Sequence, residues 1–333
     1  MSNLMLRFRK ASSLLPRYRG INSFLATINH FPTLPERSPN IALASVPKWE
    51  VWSRSYGTHS TNSSTFYTVN TSGQYVGYQR HITEITNLAT CRDIVDWGCD
   101  IQDVQGLSFS QAPLEDFSSL DHMTEARSAP YIHPLSEQNL RDNRNHGEIR
   151  ILHKADGGGD FFVQYLWDDG RIYLANSGGS HHFATARYIA SRIGKAVPLR
   201  GRLYTYSLNP ESVYCLLRNY RIFILEQQAT DDLHEWMCAC RVEYGSYALP
   251  NPFRSYRAIF LPADKQSSTD VAEMMYDTGI FSLNDYFSKK IGLMYSGSSC
   301  AISALPVPVP PARIPQAVPD VHLATAMKPI TGQ

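Results

Sequence analysis

Cysteine is scarce in this chain. There are six in 333 residues (Cys91, Cys99, Cys215, Cys238, Cys240 and Cys300), too few and too scattered for a disulfide scaffold, and they read as reduced thiols in a reducing compartment. No apolar run approaches the roughly 20 residues needed to cross a bilayer, which argues against a helical membrane span. Net charge is nearly missing as well. Lys+Arg 31 against Asp+Glu 30 leaves +1, which excludes a uniformly basic nucleic-acid coat and an acidic disordered chain. The sequence has no P-loop, no G-x-S-x-G elbow and no internal repeat of fixed period. The first 35 residues contain no acid at all.

What is present is unevenly placed. Residues 1–60 hold eight Lys/Arg (Arg7, Arg9, Lys10, Arg17, Arg19, Arg37, Lys48, Arg54) against Glu36 and Glu50, a surplus of six, so the remainder carries −5. A basic, Ser-containing, acid-free start has the composition of an organelle transit peptide, of an arm that touches phosphate, or of a solvated bacterial leader. A secretory signal is disfavoured because Arg7, Arg9 and Lys10 interrupt its apolar stretch. The residues therefore favour the cytoplasm, with an organelle as the alternative. From Ala301 onward lie seven of the 20 prolines. They predict an extended, disordered tail over 297–333, with a groove-binding role toward a protein partner as the sharper option.

Between these ends we expect an N-terminal α+β extension over 61–146 and a core with a C-terminal α/β extension over 147–296. Residues 60–80 read as a weak, polar strand or hairpin. Ser136 followed by Asn139 reads as a helix start, with Leu135 and Leu140 placed to pack. Glu148 to His153 alternates like a half-buried strand, and Asp156-Gly-Gly-Gly-Asp160 is a turn. Phe161–Trp167 and Arg171–Ala175 are strands joined by Asp169-Gly170, a strong hairpin signal. Val197–Tyr206 is a further strand. Beyond it come a helix (210–218), a strand (221–225), a helix (231–240), an aromatic loop through Pro252, a strand (257–261) and two helices. Those last two carry capping patterns at Asp270/Glu273 and Ser282/Asp285.

The segment that invites chemistry is Asn176-Ser-Gly-Gly-Ser-His-His182, running from a strand into a helix ended by Gly194. The first turn of a helix has unpaired N–H groups and the positive end of its dipole, and small residues let an anion approach the backbone. Gly178 and Gly179 give that access. Ser180, His181 and His182 add donors, a hydroxyl that an adjacent imidazole could activate, and charge near neutral pH. The plainer alternative makes Ser180 an N-cap and the histidines ordinary surface and core-edge residues.

Strand, glycine turn, histidine-bearing helix start, helix and strand over 148–206 resemble the nucleotide-binding core of the ParB/sulfiredoxin-like superfamily. Its motif runs acid-Gly-x-His-Arg-x-x-Ala. The stretch NSGGSHHFATARYIA is also similar to that of uncharacterised bacterial proteins. The resemblance implies an α+β fold with a small mixed sheet, and phosphate binding by Asn176, Gly178, Gly179 and Arg187. It implies catalytic or phosphate-facing roles for Ser180, His181 and His182. It further implies a nucleotide triphosphate (ATP or CTP) with Mg²⁺, or DNA or RNA, as ligand. NTP hydrolysis, phosphotransfer or nuclease action of the plasmid, phage or defence type would follow. Three positions depart from the pattern. Gly178 stands where the acid belongs and His182 where the arginine belongs. Ser180 stands where partition proteins carry a glutamate and sulfiredoxin a cysteine. The alternative is a non-catalytic module that recognises nucleic acid or a protein.

Other clusters carry less. Cys238-x-Cys240 lacks a second pair at zinc spacing. The adjacent His181 and His182 cannot both chelate one ion, although His153 or Asp160 could join one of them. Glu226, Asp231 and Asp232 read as a solvated acidic face. Tyr244 to Arg257 mixes aromatics with arginines, as a lid over the core or a stacking surface for bases.

Overall fold

The computed structural model describes residues 18–28, 30–53, 65–153 and 157–296. Most of the basic leader, Asp156 and the proline-rich tail lie outside the described residues. Helix α1 (Arg19–Thr27) precedes the hairpin of β1 (Thr65–Val69) and β2 (Tyr75–Gln79). Next come α2 (Thr83–Thr86), β3 (Ala89–Asp100), β4 (Val104–Leu107), α3 (Leu120–Arg127), α4 (Ala129–Ile132), α5 (Glu137–Arg144) and α6 (Arg150–His153). Strands β5 (Phe161–Tyr165) and β6 (Ile172–Ala175) lead through α7 (Ser180–Ile193) to β7 (Pro198–Leu208). The chain continues with α8 (Pro210–Asn219), β8 (Tyr220–Glu226), α9 (Gln227–Ala239), β9 (Tyr244–Ala248), β10 (Tyr256–Pro262), α10 (Gln266–Thr278) and α11 (Leu283–Ser296).

The fold is α+β with two five-stranded sheets. The first has the order β3-β7-β5-β6-β4 and is mixed: β7 runs parallel to β5 and β6 parallel to β4, while the other pairs are antiparallel. The second has the order β2-β1-β9-β10-β8 and is antiparallel throughout. Each sheet draws strands from both sides of residue 147, so the division expected at 146/147 runs through both.

Period-2 alternation sets the layers. In β8, Tyr220, Ile222 and Ile224 face one apolar cluster while Phe223 and Leu225 face another. In β10, Ala258 and Phe260 divide likewise from Ile259 and Leu261. Val163, Tyr165, Tyr173 and Ala175 of the first sheet join Phe66, Ile222 and Phe260 of the second in a shared central layer. The outer face of the first sheet carries α7 through Phe183, Ala186, Ile189 and Ala190, and that of the second carries α1, α9 and α10. Trp49 and Trp52 fall in the basic N-terminal segment yet fill the central layer, with Trp49 4.9 Å from Phe287 and Trp52 6.0 Å from Phe260. Apolar content there outweighs the surplus of positive charge, because each large side chain buried contributes about 1.5–3 kcal/mol.

Most of the expected local structure is present. Gly170 has φ +73° in the β5–β6 hairpin and Gly194 φ +66° at the end of α7. Ser136 Oγ accepts from Asn139 N, and Ser282 Oγ from Asp285 N. Four expectations need correction. Glu148 to His153 is a turn followed by the short helix α6 instead, since Ile149 N donates to His146 O and Leu152 N to Ile149 O, and among the described residues no strand pairs with it. Leu135 is exposed whereas Leu140 is buried. Helix α10 starts four residues before Asp270, which accepts from Gln266 Nε2 inside it. The aromatic loop contains a strand, β9, because Tyr244 and Ser246 can pair with Tyr67 and Thr65.

Phe260 sits in the central layer with no exposed surface, while Tyr214 of α8 is mostly exposed. Phe260→Ala should lower the unfolding free energy by about 3–5 kcal/mol and Tyr214→Ala by no more than about 0.5 kcal/mol. Urea denaturation followed by circular dichroism measures both.

Candidate functional site

The 176–182 turn leaves the end of β6 and is clamped by one side chain. Asn176 is buried. Its Oδ1 accepts from Ser108 N and Phe109 N, each at 3.3 Å, and its Nδ2 donates to Phe109 O, Gly178 O and Ser180 Oγ at 3.0–3.2 Å. Ser180 is buried too, and its hydroxyl donates to Phe109 O at 2.5 Å. Asn176 and Ser180 therefore face inward and fix the turn against the segment after β4.

Gly179 takes φ +69° and caps α7. A Cβ there would lie 2.9 Å from the backbone of Glu148 and Ile149, so glycine is needed for both conformation and space. Its N–H donates to Glu148 Oε2 at 3.2 Å. A Cβ on Gly178 would meet the same carboxylate at 3.3 Å. The N-terminus of α7 thus already holds an anion, the exposed carboxylate of Glu148.

The two histidines share the outer side of this turn. His181 Nδ1 lies 3.0 Å from Ser128 Oγ, and burial, followed by the charge of Arg127, holds its imidazole below the usual value. His182 Nδ1 lies 3.0 Å from Asn143 Oδ1. Asn143 Nδ2 is directed to Asn139 O and Asn139 Oδ1, which leaves its Oδ1 to accept. His182 therefore carries its proton on Nδ1 and presents Nε2 as the basic nitrogen. His146 stacks on it at 3.9 Å between ring centroids, 12° from parallel, and its own buried Nδ1 has no hydrogen-bond partner. Burial first, then His146 and His181, lower the imidazole of His182, while Glu148 opposes them.

Beside the glycines, Arg150 Nη1 donates to Ser177 Oγ, which in turn donates to Asp160 Oδ1 at 3.2 Å. Burial raises the Asp160 carboxyl, against the Ser177 hydrogen bonds and Arg150. Arg187 lies apart from the turn. Its guanidinium donates to Val104 O, Gln102 O and Asp121 Oδ1, tying α7 to β4 and α3. Among the described residues no group of three His, Cys, Asp or Glu could hold a metal ion, and no helix is long and apolar enough to cross a membrane. Among the described residues the cysteines, Cys238 and Cys240 included, form no disulfide.

Glu148, His146, Asn143, Ser128 and Arg150 complete this surface and were not singled out from the sequence. Their one visible signal is His146-Gly-Glu148, polar residues before a short apolar run, which the alternation disguised as a strand. The β6–α7–β7 unit is present, but β5 lies between its two strands, which run in opposite directions.

A family model matches residues 94–291, from within β3 into α11. The chain belongs to DUF6685, a family of unknown function. Comparison with curated proteins and with solved structures finds no match. The DUF6685 segment contains the whole 176–182 turn and each residue that supports it.

Asn176→Ala should strand the Ser108 and Phe109 amides and lower stability by about 1–3 kcal/mol. Urea denaturation measures the loss. A change below about 0.5 kcal/mol, the range of ordinary surface substitutions, would show that the turn holds its shape without this clamp.

Proposed function

We propose that this DUF6685 protein binds phosphate at the Gly178–His182 turn, as part of a nucleotide or of a nucleic acid. The observation that carries the reading is the Glu148 carboxylate on the Gly179 amide. It marks the position as one where the backbone and the helix dipole favour negative charge, held by one hydrogen bond from an exposed side chain. A phosphate that displaced it would bring more charge and more acceptor oxygens to a rim containing Arg127, Arg150, His181 and His182. ATP or CTP would bring Mg²⁺ on its own phosphates, an ion that keeps several waters and needs no protein cage.

Recognition without turnover is the form of this reading that the site supports best, because the Ser180 hydroxyl is buried and committed to Phe109 O. The protein is then a nucleotide- or nucleic-acid-binding module, and hydrolysis, phosphotransfer and nuclease action are not needed to account for the turn.

Titration of the purified chain with labelled ATP, CTP and a short single-stranded DNA, with and without Mg²⁺, tests it. Glu148→Gln should tighten binding about two- to fivefold by removing the competing charge, and His181→Ala with His182→Ala should weaken it. No binding of any probe by the wild type and by Glu148→Gln would sink the proposal.

The pH dependence has a definite sign. Both imidazoles are held below their ordinary value in the free protein, so they are neutral at pH 7, and a bound phosphate favours their protonated forms. Affinity should rise as pH falls from 8 through the imidazole range and level off once the free protein is protonated too. The double alanine variant should lose this contribution. A wild-type slope no steeper than that of the variant would remove the histidines from the site.

A further inference from the structure

A second feature lies on the outer face of the other sheet. A cleft of about 200 Å³ is lined by Thr65 and Tyr67 of β1, Gln227, Thr230, Asp231 and His234 of α9, Tyr244 and Ser246 of β9, and Arg257 of β10. All nine side chains carry a polar group. The volume is below the roughly 300–1,000 Å³ of sites for drug-sized ligands, so an occupant is a small polar molecule.

The charges in this cleft are arranged unusually. Arg257 is partly buried, its Nε donates to Ser246 Oγ at 3.0 Å, and neither terminal nitrogen makes a hydrogen bond among the described residues. Burial lowers its guanidinium, opposed first by the charge of Asp231. Yet among the described residues Asp231 and Arg257 make no ion pair within 4.0 Å, and the Asp231 carboxylate makes no hydrogen bond. The two opposite charges line one cleft without meeting. An aromatic wall closes another side: Tyr67 stacks on Tyr244 at 5.1 Å and lies 4.4 Å from His234, whose Nδ1 is 2.7 Å from Tyr244 Oη.

We propose that this cleft binds a small zwitterion of the amino-acid class, its carboxylate on the Arg257 fork and its ammonium group at Asp231. A simple anion would satisfy Arg257 but face the Asp231 carboxylate, and a simple cation would meet the guanidinium. A zwitterion completes both charges and leaves the Arg–carboxylate contact free to be bidentate. The rings of Tyr67 and Tyr244 add a face toward which an ammonium group is attracted. The site is separate from the phosphate turn and does not depend on that reading.

The test is isothermal titration of the full-length chain with each of the twenty L-amino acids. For any that bind, the matched carboxylate lacking the amine and the matched amine lacking the carboxylate are titrated too. Expected are saturable binding of at least one amino acid and a loss of about tenfold or more for both truncated analogues. Arg257→Gln and Asp231→Asn should each lose a similar factor. Asp231 is exposed, so Asp231→Asn probes the site without disturbing the core; Arg257→Lys, which keeps charge but not the fork, should fall between wild type and Arg257→Gln. Absence of binding by all twenty would overturn the proposal. So would equal binding of the amine-free carboxylate with no effect of Asp231→Asn, which would make the cleft a plain anion site.

Discussion

The structure depends on the apolar layer that its two sheets share. Neither sheet could be stable alone, since each presents a row of large side chains, among them Tyr165 and Tyr173 on one and Phe66 and Phe260 on the other, that must leave water together. Trp49, Trp52 and Phe287 enter from outside the strands and fill the space between them. Once that layer is fixed, period-2 alternation turns Phe162 and Leu174 outward on one side and Ile259 and Leu261 outward on the other, and helices cover both. Chemistry is thereby pushed to the outer faces and strand ends, where backbone groups and water meet.

Asp168 and Lys48, two charged groups admitted near the layer, are held by several partners each. Asp168 accepts from Ser38 N at 2.7 Å, from Arg171 and from Tyr173 Oη, so the hairpin corner is tied to the segment before the first tryptophan. Lys48 donates to Leu43 O at 2.8 Å and lies 4.2 Å over the Tyr165 ring, and burial pulls its ammonium down to about 8. A buried charge left without partners costs several kcal/mol, which explains why each of these is held by groups from distant parts of the chain. Arg257 in the cleft lacks that completeness, and so does the singly bonded anion at Gly179. At those two places the ligands proposed above would add a partner.

Legibility from the sequence followed the range of the forces involved. The β5–β6 hairpin and helix α7 rest on local chemistry, positive φ at Gly170 and Gly194 and a 3.6-residue apolar stripe, and these read directly from neighbouring residues, whereas the left-handed cap at Gly179 in place of Ser180 did not. Strand β9 did not, because Tyr244-Gly-Ser-Tyr-Ala gains its conformation from pairing with Tyr67 and Thr65 about 180 residues earlier. Glu148 looked like a strand residue because Ile149 and Ile151 are both buried, yet the turn that precedes α6 buries them equally well. At the site, Gly178, Gly179, His181 and His182 are brought to one surface, whereas Arg187 shares their helix and not their direction. A helical wheel places Arg187 on the flank, and only the positions of Asp121, Val104 and Gln102 show what occupies it.

The same hydrogen bonds bear on what the turn could do beyond binding. A serine nucleophile needs a free hydroxyl beside a base, and Ser180 has neither, because its proton is directed to Phe109 O and its oxygen accepts from Asn176. The histidines are different. Asn143 orients His182 through Nδ1, which fixes the tautomer of the imidazole and leaves Nε2 as the basic nitrogen. His146, stacked on the same ring with its buried Nδ1 unpaired, disfavours protonation of His182 after burial has already done so. Ser180 therefore holds the loop in place through Phe109 and Asn176, and the imidazole of His182 is the titratable group that the turn leaves uncommitted at one nitrogen.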